Sequence, residues 1–189
     1  MSTATTTIPR FIPGTWTIDP VHSQVSFTVR HLMVGRVRGR FAALSGTIVT
    51  GSDPLHSQVS AEIDLASIDT GNEQRDGHLR SAEFLDVEIY PTMSFRSTSV
   101  RPQRHNYLVS GELTLHGMTR SVELELEVNG FVADPWGATR AGFSATGEID
   151  RRDFGLNANT PLADGGLLVG YEVHVALEIE AVRCVPAPA

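Results

Sequence analysis

The chain has 189 residues, of which 41% are hydrophobic, and its formal net charge is −7. This apolar content excludes an intrinsically disordered chain, and the negative charge argues against non-specific binding of nucleic acid. Because Cys184 is the only cysteine and the chain has no lysine, the sequence excludes an internal disulfide, a cysteine-rich zinc site, a Schiff-base lysine and a P-loop lysine.

The two ends of the chain have the composition of tails. Residues 1–13 are rich in threonine and contain Pro9 and Pro13, without the basic start and apolar run of a secretory signal. No stretch of the sequence approaches the roughly 18 apolar residues of a membrane helix. We therefore expect a flexible tail over 1–13, one domain over 14–185, a C-terminal tail over 186–189 and a cytoplasmic protein.

The first strands alternate apolar and polar side chains, as half-buried strands do. A short strand over 15–19 ends at Pro20, because proline lacks the donor that a strand needs. After a second strand and a bend at Gly35, a third strand carries an outward row of arginines and runs on to Ile48. A fourth strand follows a turn at 51–54. The inward residues of the last three strands are Val25, Phe27, Val29, His31 and Met33, then Val37, Gly39 and Phe41, then Val59, Ala61, Ile63 and Leu65.

One segment between strands breaks this alternation. Residues 72–85 are charged and lack β-branched side chains, which favours a helix over a strand. Asparagine is a preferred residue at the start of a helix, because its side chain accepts a backbone N–H of the first turn. We therefore predict a helix from Glu73 to about Ala82, with Asn72 as its N-cap.

The clearest strand is Val122–Val128, in which four aliphatic residues alternate with three glutamates. A helix would wind those glutamates through the apolar stripe and bury some of them without a partner. The segment is therefore a strand of an antiparallel sheet with one face in water. Four other strands in this half of the chain alternate in the same way, with the inward residues Met93, Phe95, Tyr107, Val109, Gly111, Leu113, Leu115, Phe143, Ala145, Gly147, Ile149, Val173, Val175, Leu177 and Ile179.

About eight long strands with no helix between most of them predict an up-and-down antiparallel barrel. Closing the sheet removes its edges, and a tube of this size can hold one slender ligand. Small inward residues such as Ala61 and Gly111 leave room inside, whereas Phe27, Phe41 and Phe95 could fill it. A ligand container and a solid core therefore both stay open.

Six blocks of sequence occur in a specific order along the chain. They are TWTIDPVHSQVSF at 15–27 followed by VRH at 29–31, VRGRF at 37–41, Thr70 with RDGHLRS at 75–81, Phe84 with Tyr90-Pro91, GELTLHGMT at 111–119, and RDFG at 152–155. Together they cover nearly the whole chain, from about 14 to 182. In these blocks the sequence resembles the YceI-like family.

The resemblance implies an all-β fold: an eight-stranded antiparallel lipocalin-like barrel with one short helix between strands. It also implies non-covalent binding, for storage or transport, of a polyisoprenoid, an isoprenoid quinone or another long-chain amphiphile in an elongated apolar cavity. Many members are exported, whereas this sequence shows no export signal. With the inward alternation, the resemblance predicts twelve ligand-binding residues: Phe27, Val29, His31, Phe41, Arg75, Leu79, Met93, Phe95, Leu113, Leu126, Phe143 and Phe154.

His31 has three interpretations. It faces inward by alternation, where an imidazole needs a hydrogen-bond partner. It could contact a ligand head group, or it could satisfy the core and fix the strand register, and we expect the second. Haem or metal ligation has little support, because the seven histidines are scattered singly without the close spacing of a zinc motif.

The charged segment 75–80 is expected near the mouth of the barrel. Arg75 or Arg80 could bind an anionic head group there, because the paired donors of arginine suit phosphate. Alternatively, Arg75 or Arg80 could pair with Asp76, Glu73 or Asp153 and lock the helix to the barrel, which is the role we expect for Asp76. In the block at 152–155, Phe154 is expected to plug one end of the barrel.

The sequence gives little support for catalysis. It contains no nucleophile elbow, no dinucleotide-binding motif and no P-loop. We therefore expect a protein that is not an enzyme, with no cofactor, no metal site, no nucleic-acid partner and a long-chain lipid as its ligand. Three alternatives stay open: an enzyme that uses His31 as acid or base on an isoprenoid, a haem or metal carrier, and an interaction module that forms a homodimer.

Overall fold

The computed structural model describes residues 8, 10–163 and 165–184. In this part of the chain the strands are β1 (Gly14–Ile18), β2 (Gln24–His31), β3 (Gly35–Phe41), β4 (Leu44–Thr50), β5 (Gln58–Asp64), β6 (Ile68–Asp69), β7 (Thr92–Gln103), β8 (Asn106–Leu115), β9 (Met118–Ala133), β10 (Thr139–Asp150) and β11 (Val169–Arg183). One α-helix, α1 (Glu73–Arg80), and 3-10 helices at Pro54–His56, Leu65–Ser67 and Arg151–Phe154 complete the described elements. The predicted tail at 186–189 and most of that at 1–13 lie outside the described residues.

Eight strands close into a ring of antiparallel pairs, in the order β1-β4-β5-β7-β8-β9-β10-β11 and back to β1. Strand β11 pairs with β1 at 181–183 and with β2 over 169–178. Because β2 pairs with β3 and β1 pairs with β4, the kinked runs β1–β2 and β3–β4 each act as one long strand. The predicted eight-stranded antiparallel lipocalin-like barrel, with one short helix between strands, is therefore confirmed.

The two ends of the barrel differ. The helix end carries α1, the 3-10 helix Arg151–Phe154 and the turn between β2 and β3. The terminal end carries the start of β1, the end of β11 and the 3-10 helix Pro54–His56. None of the helices in the described part of the chain is long and apolar enough to cross a membrane.

Aromatic packing fills the core at the terminal end. Trp16 is fully buried, and its ring centre lies 5.4 Å from that of Phe131. Trp16 Nε1 donates a hydrogen bond to Thr50 Oγ1 at 2.8 Å, so the buried indole N–H has a partner. Phe11, from the segment predicted as a tail, contacts Phe131 edge-on and packs against this core.

Helix α1 is held at its start by two side chains. Asn72 Oδ1 accepts the backbone N–H of Arg75 at 3.0 Å, which confirms the predicted N-cap. Asp76 is buried and accepts both the N–H and the hydroxyl of Thr70, at 3.0 and 2.6 Å. The helix ends at Arg80, before the predicted end near Ala82, because Ser81 turns to an extended backbone and its N–H bonds back to the helix.

Strand β2 is shorter than predicted. It ends at His31, and Leu32 and Met33 adopt left-handed φ values of 51° and 60° in the turn that leads to β3. The prediction that Met33 faces inward is therefore wrong, since this side chain is 52% exposed. The reversal precedes Gly35, which begins β3 instead of forming the bend.

Candidate functional site

The barrel encloses a cavity of about 320 Å³, and every strand of the eight-stranded ring contributes side chains to its wall. In β9, Val122, Leu124, Leu126 and Val128 line the cavity, while the glutamates between them are exposed. The inward and outward faces predicted for this strand are thus confirmed. The wall is overwhelmingly apolar, and its polar members are Ser26, Thr50, Ser57, Gln58, Ser97, Tyr107 and Arg151.

Glycines in the wall allow aromatic rings to lie close against it. A Cβ atom on Gly39 would come within 2.4 Å of Phe27 Cζ, and one on Gly111 within 2.3 Å of Phe95 Cζ. Rings that lie over glycines in this way cover backbone that would otherwise be bare. The room that the sequence predicts beside small residues is thus partly taken by these rings. The rings lie over the glycines and leave the centre of the barrel unfilled, so a cavity remains.

Nine of the twelve predicted ligand-binding residues line the cavity. They are Phe27, Val29, Phe41, Leu79, Met93, Phe95, Leu113, Leu126 and Phe143. Leu79 belongs to α1, so the helix forms part of the wall at the helix end. The other three predicted residues, His31, Arg75 and Phe154, are not part of the wall.

His31 occupies the last position of β2 and is half-buried beside the turn. Its backbone carbonyl accepts the N–H of Val34 at 3.2 Å and so helps to close that turn. The inward alternation brings Val29 into the cavity, but the strand ends at the next inward position. This placement does not support a contact between His31 and a ligand head group inside the cavity.

Arg75 and Phe154 have structural contacts outside the cavity. The exposed Arg75 donates to the hydroxyl and the carbonyl of Thr70, at 2.7 and 2.9 Å. Thr70 also donates to Asp76, and Arg75 pairs with neither Asp76 nor Asp153. Arg80 links α1 to the segment at β6 by donating to Ala66 O and Ile68 O, each at 2.9 Å, and it pairs with Glu73 at 3.5 Å. Phe154 is 1% exposed and packs in the core at the helix end, where its carbonyl accepts from His116 Nδ1 at 3.2 Å.

Among the described residues, one charged side chain lines the cavity, and the sequence analysis missed it. Arg151 is 6% exposed, and burial lowers the pKa of its guanidinium from the ordinary value. Its Nε donates to Gly170 O at 3.0 Å, one terminal nitrogen to Val169 O at 3.4 Å and the other to Leu156 O. The sequence does contain a signal for its inward position, since the inward positions 143, 145, 147 and 149 of β10 continue by alternation to 151.

The terminal end of the cavity presents hydroxyl groups and, among the described lining residues, no charge. Thr50 Oγ1 accepts from Trp16 and donates to Ile12 O at 2.8 Å. Burial, with a smaller effect of Asp53, raises the pKa of the Tyr107 phenol above its ordinary value of 10.0, so this hydroxyl is neutral. The cavity is therefore polarised, with a cation at the helix end and neutral hydroxyls at the terminal end.

Among the described residues, two groups of acidic side chains with a histidine could hold a metal ion, and both lie outside the cavity wall. The first group consists of Asp19, His22 and Glu180. Arg140 donates to Asp19 at 2.9 Å and to Glu180, and it also donates to Asp134, outside the group, at 2.9 Å. Hydrogen bonds from His22 and Arg140 hold the pKa of Asp19 well below its usual range. The guanidinium thus already supplies the positive charge that a metal would bring. The second group is exposed on the outer face of β10 and β11 and consists of Glu148, Glu172 and His174.

The sequence matches known proteins along most of its length. A family model described as the YceI-like domain matches residues 16–181. A UPF0312 protein of Serratia proteamaculans is 37% identical over 163 residues, which are 86% of this chain and 82% of that protein. Protein YceI of Salmonella newport is 38% identical over 163 residues, with the same shares of 86% and 82%.

Solved structures share the barrel. A Campylobacter jejuni YCEI protein superposes with a TM-score of 0.70 at 26% identity, covering 82% of this chain and 90% of that one. Burkholderia cenocepacia BcnA reaches 0.75 at 21% identity, covering 86% and 98% of the two chains. A polyisoprenoid binding domain from Saccharophagus degradans reaches 0.68 at 20% identity, covering 89% and 98%. At these identities the last two show the fold alone. The sequence matches and the closed barrel agree: this chain belongs to the YceI-like family.

Proposed function

We propose that the protein binds a long-chain apolar amphiphile, such as a polyisoprenoid or an isoprenoid quinone, non-covalently inside the barrel and stores or transports it. The observation that carries this proposal is the apolar cavity that runs from Leu156 at the helix end to Phe11 at the terminal end. The fold shared with the Saccharophagus degradans domain, a polyisoprenoid binding domain, supports it.

The size and chemistry of the cavity favour one slender chain. A volume of about 320 Å³ is at the lower end of the roughly 300–1,000 Å³ of small-molecule sites, which suits a single tail better than a bulky ring system. Each buried CH₂ group contributes about 0.8 kcal/mol before the costs of ordering the ligand. Apolar walls discriminate weakly among tails of similar width, so the wall selects for length and thickness more than for identity.

The polar groups of the wall favour binding over catalysis. The described lining residues include neither a carboxylate nor a histidine, so an acid–base pair on a bound isoprenoid would lack its usual groups. His31, which the enzymatic alternative requires as acid or base, lies outside the wall. In the part of the chain that the structure describes, the two groups that could hold a metal lie outside the wall as well. A homodimer stays a prediction from the sequence.

Chain-length dependence of binding tests the proposal. Delipidated protein is titrated with octanol, decanol and dodecanol while heat of binding is recorded. Because 0.8 kcal/mol corresponds to about fourfold in affinity, each added methylene should tighten binding by up to about fourfold until the tail fills the cavity. Affinity that is absent, or that does not change with chain length, would contradict a tail bound inside the barrel.

Two neighbouring substitutions locate the binding site. Ala145 lines the cavity, whereas Thr146 is exposed on the outer face of the same strand. Ala145→Phe fills the interior and should abolish dodecanol binding, while Thr146→Phe places the same ring in solvent and should leave binding unchanged. Equal binding by the two variants would place the alcohol outside the barrel.

A further inference from the structure

Arg151 is a buried cation that lacks an ion-pair partner among the described residues. Buried arginines are normally paired, because a charge removed from water is costly unless an opposite charge compensates it. The adjacent Asp150 does not provide that compensation by contact. Both of its carboxylate oxygens are engaged by Arg152, whose Nε lies 3.0 and 3.1 Å from them. The positive charge at the helix end of the cavity is therefore left without a contacting anion.

The guanidinium also has unused hydrogen-bonding capacity. It carries five N–H donors, and the backbone carbonyls of 156, 169 and 170 accept one each. Two N–H groups, one on each terminal nitrogen, therefore have no acceptor in the described part of the chain. The three carbonyls hold the group in place, and the Tyr171 ring, 4.9 Å from Arg151 Cζ, packs against it. The side chain is thus fixed before any ligand arrives, which reduces the entropy lost on binding.

A role confined to holding the chain together would not require the charge at this position. Neutral donors could bond to the same carbonyls without the desolvation of a cation. An anion brought in by a ligand would supply the missing countercharge and accept the two remaining N–H groups. Charge-assisted bonds of this kind are the strong ones, and they strengthen where water is excluded.

We propose that the helix end of the cavity recognises an oxyanion head group, a phosphate monoester or a carboxylate, through Arg151. The apolar tail then runs along the barrel toward Trp16 and Phe131, and the neutral hydroxyls at the terminal end meet the tail and not the head group. This inference rests on the proposed function and adds to it the chemical class of the ligand head. Arg75, the arginine that the sequence suggested for this role, is exposed and bound to Thr70.

A panel of ligands with one tail and different heads tests this with the unmodified protein. Delipidated protein is titrated below micellar concentrations with dodecyl phosphate, dodecanoate, dodecanol and dodecyltrimethylammonium. At least one of the two oxyanions should bind roughly tenfold or more tightly than the alcohol, as a bond to a buried charge implies, and the cation should bind most weakly. The relative affinities of dodecyl phosphate and dodecanoate show which oxyanion fits the site better. Equal binding of oxyanion and alcohol would overturn the head-group assignment but leave the proposed function intact, whereas no binding of any probe would overturn both.

Substitutions attribute the preference to one residue. Arg151→Gln should keep dodecanol binding and lose the preference for the oxyanion. Arg75→Gln is the matched control, because Arg75 lies at the same end of the barrel, is exposed, donates to Thr70 and is not part of the wall, so the preference should persist. A preference retained in folded Arg151→Gln would overturn the assignment. If that variant does not fold, the ligand panel on the unmodified protein decides.

Discussion

At the scale of single residues, the shape of the cavity wall depends on glycines, which leave room for neighbouring aromatic rings. Gly39 lies behind the ring of Phe27, and the atoms closest to an added Cβ are all in side chains: Phe27 Cζ at 2.4 Å, Phe27 Cε1 at 2.8 Å and Thr70 Cγ2 at 2.9 Å. Gly39→Ala should therefore push the Phe27 ring toward the cavity instead of breaking the strand. We expect a loss of about 1–3 kcal/mol in the free energy of unfolding and weaker binding of dodecanol, measured by urea denaturation and titration.

A second glycine provides the control. Gly77 lies inside α1, and an added Cβ would meet no atom within 4 Å. Gly77→Ala should raise the free energy of unfolding by about 0.5–1 kcal/mol, because alanine loses less backbone freedom in a helix, and should leave binding unchanged. Normal affinity in Gly39→Ala would show that the ring does not shape the bound tail.

At the scale of elements, one arginine ties together the segments around the kink between β1 and β2. Arg140 in β10 contacts Asp19 in the kink, Asp134 in the hairpin between β9 and β10, and Glu180 in β11. Contacts with His22 and Arg140 hold the pKa of Asp19 below its usual 3.8, and contacts with Arg140 do the same for Asp134. The folded state therefore favours the ionised carboxylates, and this contribution is complete above the unfolded pKa and is lost as pH falls through the folded values.

The pH dependence of unfolding tests this network. The urea midpoint of the wild type should fall as pH drops below about 4, and Arg140→Gln should lower the midpoint near neutral pH. The difference between the two proteins should narrow as the carboxylates become protonated. Arg120→Gln is the control, since the exposed Arg120 donates to the carbonyl of Thr119 and should leave the curve unchanged. A difference between wild type and Arg140→Gln that is constant with pH would contradict the assigned interactions.

At the scale of the whole molecule, structural features that depend on local alternation are predictable from the sequence. Contacts between segments that are distant in sequence are not. The alternating glutamates of β9 and the cap at Asn72 are local signals, and both are confirmed. The end of β2 at His31 depends on left-handed residues that are not glycine, so the sequence did not reveal it. Arg75 was predicted to bind the ligand, because the sequence pattern did not reveal its partner Thr70, which precedes the helix. The inward position of Arg151 follows from the alternation of β10, but its contacts reach residue 170, nineteen residues away, and no local pattern reveals them.

We propose that the barrel holds a long apolar chain inside its wall. Organic extraction of the purified protein, followed by mass spectrometry of the extract, tests it most directly. We expect a long-chain lipid that co-purifies with the wild type and is absent from Ala145→Phe prepared in the same way. Extracts free of such a lipid after expression in several hosts, together with no uptake of an added polyprenol by the delipidated protein, would contradict it.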